Sequence, residues 1–381
     1  MTVNQIYGIV ESVNAQMHGS AAVAVTDLSG LISMGQSVIS SDAEKDTFLN
    51  VLADRIGKTV LRTLDVVAEF PFLLRNDFEF GAILQKIDIE PLPAQANTSE
   101  TIGANGYTPN QFAINKPTVT QTFFTDADTW SYKVTIPDSL LKRAFTSAEA
   151  MGAFITGIMD ALEKSMTEGL NAMAHMAVAN FIGEKIHAEN GVVNLLTEYK
   201  TKTHDTTLTA DTAMFDEKFL KFASMVIKNY IGYMSTPKTI FNTVGKKRAT
   251  TRDNMHVMLL NDFASAVDTF STASTFHNFM VELPMYQPVE HWQGACETAG
   301  GAVNANNEIN ITTSSGHDVA ATGIVGVLAD REAISIGLTD KYTATDRNNS
   351  DRYTNYTSGS TIQYINDLSE NGVVFIVADS E

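Results

Sequence analysis

The densest group of basic side chains in the sequence lies between residues 246 and 252. It consists of Lys246, Lys247, Arg248 and Arg252, in a chain that is otherwise acidic. Such cations could bind a phosphate or an acidic surface of a neighbouring subunit, where charge complementarity sets specificity more than affinity. The alternative is a solvated loop between two strands. The sequence leaves both interpretations open.

The other residues that could do chemistry form no recognisable site. The chain has no P-loop, no GxGxxG, no GxSxG and no HExxH pattern, and its eight histidines are scattered. We therefore predict no catalytic residue, no metal ligand and no cofactor-binding residue. His175 and His256 are interpreted as structural residues, and the acidic pair Glu168 and Glu184 as solvated surface.

Composition excludes several classes of protein. The chain carries 26 basic and 44 acidic side chains, a net charge of −18, whereas proteins that grip nucleic-acid phosphates are usually basic. The single cysteine, Cys296, excludes an intrachain disulfide and a metal site built on several thiolates. Charged residues make up only 18%, which suits a surface partly buried against partners. Without a signal-peptide pattern or an apolar run long enough to cross a bilayer, we expect a soluble intracellular product.

The strongest helical signal runs over residues 147–188. Apolar residues recur there at helical spacing for about 40 residues, which corresponds to a length of about 60 Å. Thr146 is the predicted N-cap with Glu149 as its capping-box partner, and Asn190 with Gly191 gives the stop. One face is rich in methionine and is interpreted as core or subunit interface: Met151, Met159, Met166, Met173 and Met176.

Two strands and a long loop precede this helix. GAILQKIDIEPLP alternates apolar and polar residues, and TVTQTFFTDADTWSYKVTIPD alternates again up to Pro137. The residues between them are rich in Asn, Gly, Thr and Pro, which predicts an extended hairpin that reaches away from the body. Before the first strand, residues 1–57 predict a helical arm, with a helix from about Asp42 to Leu64 capped by Ser41.

A separate unit of short helices and strands is predicted over residues 192–330. Helices are predicted in DEKFLKFASMVIKNYI and DFASAVDTFS, and strands in PKTIFNTV and MHVMLLN around the basic loop. GIVGVLADREAISIGL predicts two strands joined at residues 330–332, and NGVVFIVAD predicts a buried strand near the end.

The order of these elements resembles the major capsid proteins of tailed bacteriophages, which share the Johnson fold. The resemblance is to the version in small phages of Gram-positive hosts, and it extends over about residues 80 to 360. Four segments carry it: FGAILQKIDIEPLPAQ, KPTVTQTFFTDADTWSYKVTIPDSLLKRAFTSAEAMGAFI, MHVMLLNDFASAVDTFSTASTFH and GVLADREAISIGLTDKYTATDRNNSDRYTNY.

The resemblance implies an α+β fold with four parts. Residues 1–57 would form an N-terminal arm and residues 94–117 an extended hairpin called the E-loop, which lies across a neighbouring subunit. Residues 58–93, 118–190 and 332–360 would form a peripheral domain with a spine helix at 147–188. Residues 191–331 and 361–381 would form an axial α/β domain.

The function implied by the resemblance is structural rather than enzymatic. Copies of the chain would self-assemble into pentamers and hexamers of an icosahedral shell that encloses double-stranded DNA without sequence-specific binding. Portal and scaffolding proteins would be further partners, no cofactor and no membrane would be involved, and assembly would take place in the host cytoplasm before the protein resides in the virion capsid. The intersubunit interface would include Pro93, Tyr107, Pro109, Phe112, Lys116, Lys246, Lys247, Arg248 and Arg252.

Two alternatives remain at this point. An encapsulin-like shell protein would share the fold but enclose a cargo enzyme instead of DNA. A soluble acidic enzyme without a recognisable motif belongs to a different class, because absence of motifs does not exclude catalysis.

Overall fold

The computed structural model describes residues 3–19, 22, 24–52, 70–75, 84–89, 92, 114, 116–124, 127–273, 286–293, 306–348 and 352–379. The helices are α1 Val3–His18, α2 Leu28–Ser40, α3 at residues 42–52, α4 Asp138–Ala144, α5 Ala148–His187, α6 Leu195–Thr203, α7 Ala210–Ala213, α8 Glu217–Met234 and α9 Asn261–Ala273. Short 3-10 turns lie at Pro71–Leu73 and Arg252–Asn254.

The strands form two larger sheets and two separate hairpins. Their bounds are β1 Leu74–Arg75, β2 Leu84–Ile89, β3 Val119–Phe124, β4 Ala127–Pro137, β5 Val192–Asn194, β6 Met255–Leu260, β7 Gln287–Val289, β8 Ile309–Thr312, β9 Asp318–Ala321, β10 Ile324–Asp330, β11 Ile334–Asn348, β12 Tyr353–Asn366 and β13 Gly372–Ile376. The long sheet has the order β1-β11-β12-β4, and the five-stranded sheet has the order β5-β13-β10-β6-β7. Strands β2 and β3 pair with each other, as do β8 and β9.

Helix α5 is a single helix of 40 residues that joins the cores of both sheets. Along its first part the buried residues are spaced three or four apart, as in Met151, Ile155, Ile158 and Leu162, so one stripe packs against the long sheet. From Met173 to Lys185 nearly every residue is buried, because this end also contacts β8, β9 and β13.

Glycine at two positions of α5 permits close packing. A Cβ at Gly169 would lie 1.7 Å from the Tyr132 hydroxyl of β4, and a Cβ at Gly152 would lie 2.5 Å from Ile6 of α1. The helix therefore approaches the long sheet on one side and the first helix of the chain on another.

The amino-terminal helices are tied to the long sheet by a buried cation. Arg347 of β11, whose side chain is 5% exposed, donates to Asp42 at 2.8 Å and to Asp138 at 3.0 Å. Lys45 of α3 also contacts both carboxylates, at 3.0 and 3.5 Å. These bonds connect α3, the start of α4 and the end of β11.

Most of the predicted elements are present. α5 and α8 occur where the apolar period predicts them, and β13 is a buried strand. β2 lies in the first segment predicted as a strand, and the second segment, predicted as one strand, forms β3, which pairs with β2, and β4, which belongs to the long sheet. Ser41 accepts a hydrogen bond from the Glu44 backbone N–H at 3.1 Å, as expected of the cap of α3. The predicted continuation of α3 towards Leu64 lies outside the described residues.

Two local predictions are wrong. Ser147, not Thr146, is the N-cap of α5, since its side chain accepts the Ala150 N–H, while the Thr146 hydroxyl donates to the Arg143 carbonyl. PKTIFNTV forms turns instead of a strand, with one isolated bridge between Lys238 and Arg248. In these turns the adjacent residues Phe241 and Asn242 are buried whereas Ile240 and Val244 are exposed, so burial does not alternate as it would along a strand.

The turn around Phe241 is held by a fully buried lysine. Lys185, near the end of α5, donates to the Phe241 carbonyl at 2.7 Å and to Asn190 Oδ1 at 3.5 Å. Burial lowers the pKa of Lys185 to about 8. At neutral pH the buried side chain still carries its proton and uses it in the hydrogen bond to the Phe241 carbonyl.

Lys185 should make stability rise with pH. Because folding lowers its pKa from 10.5 to about 8, the unfolded chain holds the proton more tightly between these values. We expect the free energy of unfolding of the wild type, relative to Lys185→Met, to increase by about 2 kcal/mol between pH 7.5 and pH 10. Urea unfolding of both proteins at the two pH values measures this. An unchanged difference would show that the lysine is not a buried charge.

Candidate functional site: a hairpin stem held by ion pairs

The hairpin formed by β2 and β3 is a stem with two different faces. In its register Lys86 lies opposite Thr122, Ile87 opposite Gln121, Asp88 opposite Thr120, and Ile89 opposite Val119. Side chains that lie opposite each other in an antiparallel pair share a face, and successive residues alternate between faces. Lys86 and Asp88 therefore belong to one face, and Ile87 and Ile89 to the other.

Lys86 joins the charged face of the stem to the loop between β12 and β13. Its ammonium lies 2.5 Å from Asp367, pairs with Glu370, and lies 3.8 Å from Glu332 beyond the end of β10. The Asp367 and Glu370 side chains are only 6% and 7% exposed. A single cation on β2 thus binds carboxylates that follow strands of both sheets.

Asp88, an anion on the same face, binds two cations of the basic loop at residues 246–252. Its carboxylate accepts from Lys246 at 2.7 Å and from Arg248 at 2.8 Å. Arg248 also pairs with Glu370 and lies 3.4 Å from the Ser369 hydroxyl. Lys86, Asp88, Lys246, Arg248, Asp367 and Glu370 form one continuous group of charges, which we call the stem network.

Burial and charge oppose each other in this network. Burial alone raises the pKa of Asp88, but hydrogen bonding by Lys246 and the charge of Arg248 lower it below its ordinary value. Burial likewise raises the pKa of Asp367, and the bonds from Lys86 and Ser369 more than offset it. For Glu370 burial prevails, so its pKa is raised despite Lys86 and Arg248. Lys86 gains enough from Asp367 and Glu370 that its pKa is raised although burial lowers it.

The second face of the stem is apolar and exposed to solvent. Ile87 and Ile89 are each 60% exposed, Val119 is 56% exposed and Phe123 is 55% exposed. Phe123 shares this face because it lies two and four residues from Gln121 and Val119 along β3. These four side chains form the apolar stripe of the stem.

The predicted interface residues are placed differently from one another. Lys246 and Arg248 lie in the stem network, so the solvated-loop interpretation is wrong for these two. Lys247, Arg252 and Lys116 are exposed. Pro93, Tyr107, Pro109 and Phe112 lie outside the described residues. Whether any of the nine contacts another subunit stays a prediction.

Other predicted residues have clear positions. His175 is buried with its ring against Phe70 and His291, and His256 packs against Phe72, as structural residues would. Glu184 is not solvated surface, because it is 5% exposed and accepts the Ser315 N–H at 3.2 Å. Of the Met-rich face, Met151, Met166 and Met173 are core, whereas Met176 is 50% exposed.

The acidic half of the network was missed by sequence reasoning. Asp88, Asp367 and Glu370 lie in a strand and a turn without a motif, and Lys86 is separated from Asp367 by 281 residues. The available signal was a lysine and an aspartate two apart in the alternating segment LQKIDI, which predicts that both share a face.

The described residues contain neither a candidate metal cluster nor a candidate membrane-spanning helix. Within those ranges, no group of three or more His, Cys, Asp or Glu side chains could hold a metal ion. No described helix combines the length and the hydropathy needed to cross a membrane.

One family model and several solved structures are similar to this chain. The model of the family described as Phi29-like phage major capsid protein matches residues 8–376. No curated protein matches the sequence. The solved capsid of Staphylococcus phage Andhra is similar with a TM-score of 0.52 at 9% identity, over 81% of this chain and 84% of that chain. A structure from bacteriophage P68 has a TM-score of 0.47 at 9% identity, over 81% of this chain and 84% of that chain. The capsid of Cyanophage P-SCSP1u has a TM-score of 0.42 at 10% identity, over 81% of this chain and 86% of that chain.

Removing the shared carboxylate of the network should loosen the stem. We expect Asp88→Asn to lower the free energy of unfolding at pH 7 by about 1–3 kcal/mol, because Lys246 and Arg248 are left half-buried without it. The pKa of Asp88 is lowered on folding, so the loss should shrink as the pH falls below 3.8 and the wild type also becomes protonated.

Urea unfolding at pH 7 and pH 3 tests this expectation. Asp346→Asn, at an exposed position of β11, is the matched control. Equal effects of the two substitutions would show that the network contributes nothing specific.

Proposed function

The chain belongs to the family of Phi29-like phage major capsid proteins, and we propose that its copies join into the shell through the hairpin stem. The protein is accordingly a structural, shell-forming component of the virion capsid with the Johnson fold. The observation that supports a role for the stem is its division into one face that binds its own chain and one apolar face exposed to solvent.

The apolar stripe needs a partner to be favourable. A two-stranded hairpin is marginal in water by itself, and contiguous exposed apolar surface marks an interaction site. Ile87, Ile89 and Phe123 are all more than half exposed although their own chain holds the opposite face. In a shell built from many copies of one chain, a neighbouring copy is the partner always present at high concentration. We infer that the stripe lies against that copy.

The stem network sets the direction in which the stem points. Lys86 and Asp88 each bind more than one opposite charge, so the stem is held by several bonds to three different loops. A stem fixed in advance loses less conformational entropy when it meets a neighbour. The network thus supports intersubunit contact without itself lying in the contact.

The remaining parts follow the same proposal. Residues 94–117, most of which lie outside the described residues, are the proposed E-loop. The proposed peripheral domain contains the long sheet with α5, and the proposed axial domain contains the five-stranded sheet with α6 to α9. Residues 361–366, which the sequence assigned to the axial domain, move to the peripheral domain because they continue β12 of the long sheet. Pentamers and hexamers of the chain close an icosahedral shell in the host cytoplasm, with portal and scaffolding proteins as further partners.

Double-stranded DNA is the proposed content of the shell. A net charge of −18 disfavours tight binding of DNA phosphates, so closure rather than affinity retains the genome. We assign no catalytic step to the protein. The family match supports neither an encapsulin-like cargo compartment nor a monomeric enzyme.

Polar substitution of the stripe should prevent assembly while sparing the fold. Ile87→Ser combined with Phe123→Ser removes apolar side chains that are exposed in the subunit, so circular dichroism should not change. Under conditions where the wild type forms closed particles, electron microscopy and light scattering should find only unassembled protein.

Gln121→Ser is the matched control, because Gln121 lies on the same face between the apolar residues. Normal particles from the double variant would contradict the proposed contact. So would particle loss in the control to the same extent.

A further inference from the structure

A groove of about 740 Å³ opens at one end of the five-stranded sheet. It lies between the second half of α8, the turn at Arg252–Asn254, the start of β6 and the start of β7. Its floor is apolar and aromatic and its rim is polar. The lining residues are Phe72, Lys228, Ile231, Arg252, Asp253, Met255, His256, Val257, Tyr286 and Gln287.

Two cations and one carboxylate, Lys228, Arg252 and Asp253, lie on the rim of this groove, so its ordinary charge is net positive. Lys228 and Arg252 are exposed, and neither forms an ion pair with a carboxylate in the part of the chain that the structure describes. His256 Nε2 is buried in the wall and has no hydrogen-bond partner there. The groove therefore suits an acidic segment that carries an apolar or aromatic side chain.

The same chain presents such a segment at the other end of α8. Phe215 lies in the turn between α7 and α8 and is 71% exposed. Asp211 is exposed beside it, and Asp216 and Glu217 follow directly. Asp216 is committed to the cap of α8, where it accepts the Phe219 N–H at 2.7 Å, and Glu217 pairs with Lys221 one turn further along α8. Asp211 is the carboxylate of this segment that stands beside Phe215 outside α8. We call Phe215 with these carboxylates the acidic knob.

The knob and the groove of one copy cannot meet. Glu217 begins α8 and Lys228 lies on its second half, so at 1.5 Å per residue the two are about 17 Å apart along a rigid helix. Any contact between knob and groove must join two copies.

We propose that the acidic knob of one subunit docks in the basic groove of the next subunit around a ring. The fit rests on charge complementarity and on an aromatic side chain entering an apolar pocket, the usual form of a binding hot spot. Because the two surfaces differ, the contact is head-to-tail, and such contacts generate closed rings or open filaments instead of dimers. The inference rests on the proposed shell function and adds a contact that does not involve the stem.

Substitutions at either side should weaken ring formation. Phe215→Ser and Arg252→Glu should each raise the concentration needed for assembly by roughly tenfold or more, and the Arg252→Glu effect should depend on salt. Met225→Ser, at a position of α8 that is 46% exposed and outside the groove, is the apolar control. Lys164→Glu, at an exposed position of α5 outside the groove, is the charge control.

Disulfide trapping gives a second measurement that does not depend on lost assembly. In a Cys296→Ser background, Lys218→Cys beside the knob is combined with Asn229→Cys beside the groove, which leaves Phe215, Lys228 and Arg252 in place. The two positions lie about 17 Å apart along α8, so they cannot close within one copy, since a disulfide requires Cα atoms closer than about 7 Å. Oxidised particles should give a ladder of linked subunits on a non-reducing gel, whereas Lys218→Cys with Met225→Cys should stay monomeric on the gel.

The outcomes separate this inference from the stem proposal. Suppose that the stem variants fail to assemble, that the Phe215 and Arg252 variants assemble normally, and that the cysteine pair gives no ladder. The knob and groove then do not meet, and the stem contact stands. If a ladder forms and both variants are impaired, the ring contact is established whatever the stem variants do.

Discussion

The fold depends on one helix that belongs to two cores at once. α5 spans 40 residues, and its first half buries only a stripe while its end from Met173 to Lys185 is buried almost all round. An end that is enclosed on every side cannot pivot without opening the packing of β8, β9 and β13 around it. The long sheet and the five-stranded sheet are therefore held at a fixed spacing by a rigid rod, and surfaces at distant points of the subunit keep a defined geometry.

Charged residues are few in this chain, and several of them form ion pairs that connect separate secondary-structure elements. Arg347 ties α3 and α4 to β11, and the stem network ties β2 to the basic loop and to the loop after β12. Ion pairs of this kind contribute modest net stability, because desolvation offsets much of the attraction. These ion pairs fix the orientation of an element and leave its apolar surface uncovered. In the stem this division leaves Ile87, Ile89 and Phe123 available for another molecule.

Sequence reasoning succeeded where the signal is local and periodic. The apolar spacing of α5 and the alternation of β2 and β3 predicted those elements, and their order was enough to indicate the family. It failed at PKTIFNTV, a short segment that was predicted as a strand but forms turns, in which the adjacent residues Phe241 and Asn242 are both buried. Adjacent hydroxyl residues also left the cap of α5 ambiguous, since either Thr146 or Ser147 could accept the free N–H groups.

The network could not be predicted, because Lys86 meets Asp367 and Glu370 only after the chain has passed through both sheets. Pairing over such a distance is a property of the tertiary fold.

A shell places a demand on its subunit that a dimer does not. A self-complementary patch closes on itself after two copies, whereas two different patches on a rigid body allow growth, and the angle between them sets the number of copies in a ring. The subunit described here carries differing surfaces of this kind, with the acidic knob and the basic groove at opposite ends of α8, and the apolar stripe on the stem. The knob and the groove keep their mutual orientation through α8, and the ion pairs of the stem network orient the stripe. Because α5 joins the two sheets, a small change in its packing would alter the angle between the stem and the surfaces on α8, and with it the shell curvature, without altering any residue in an interface.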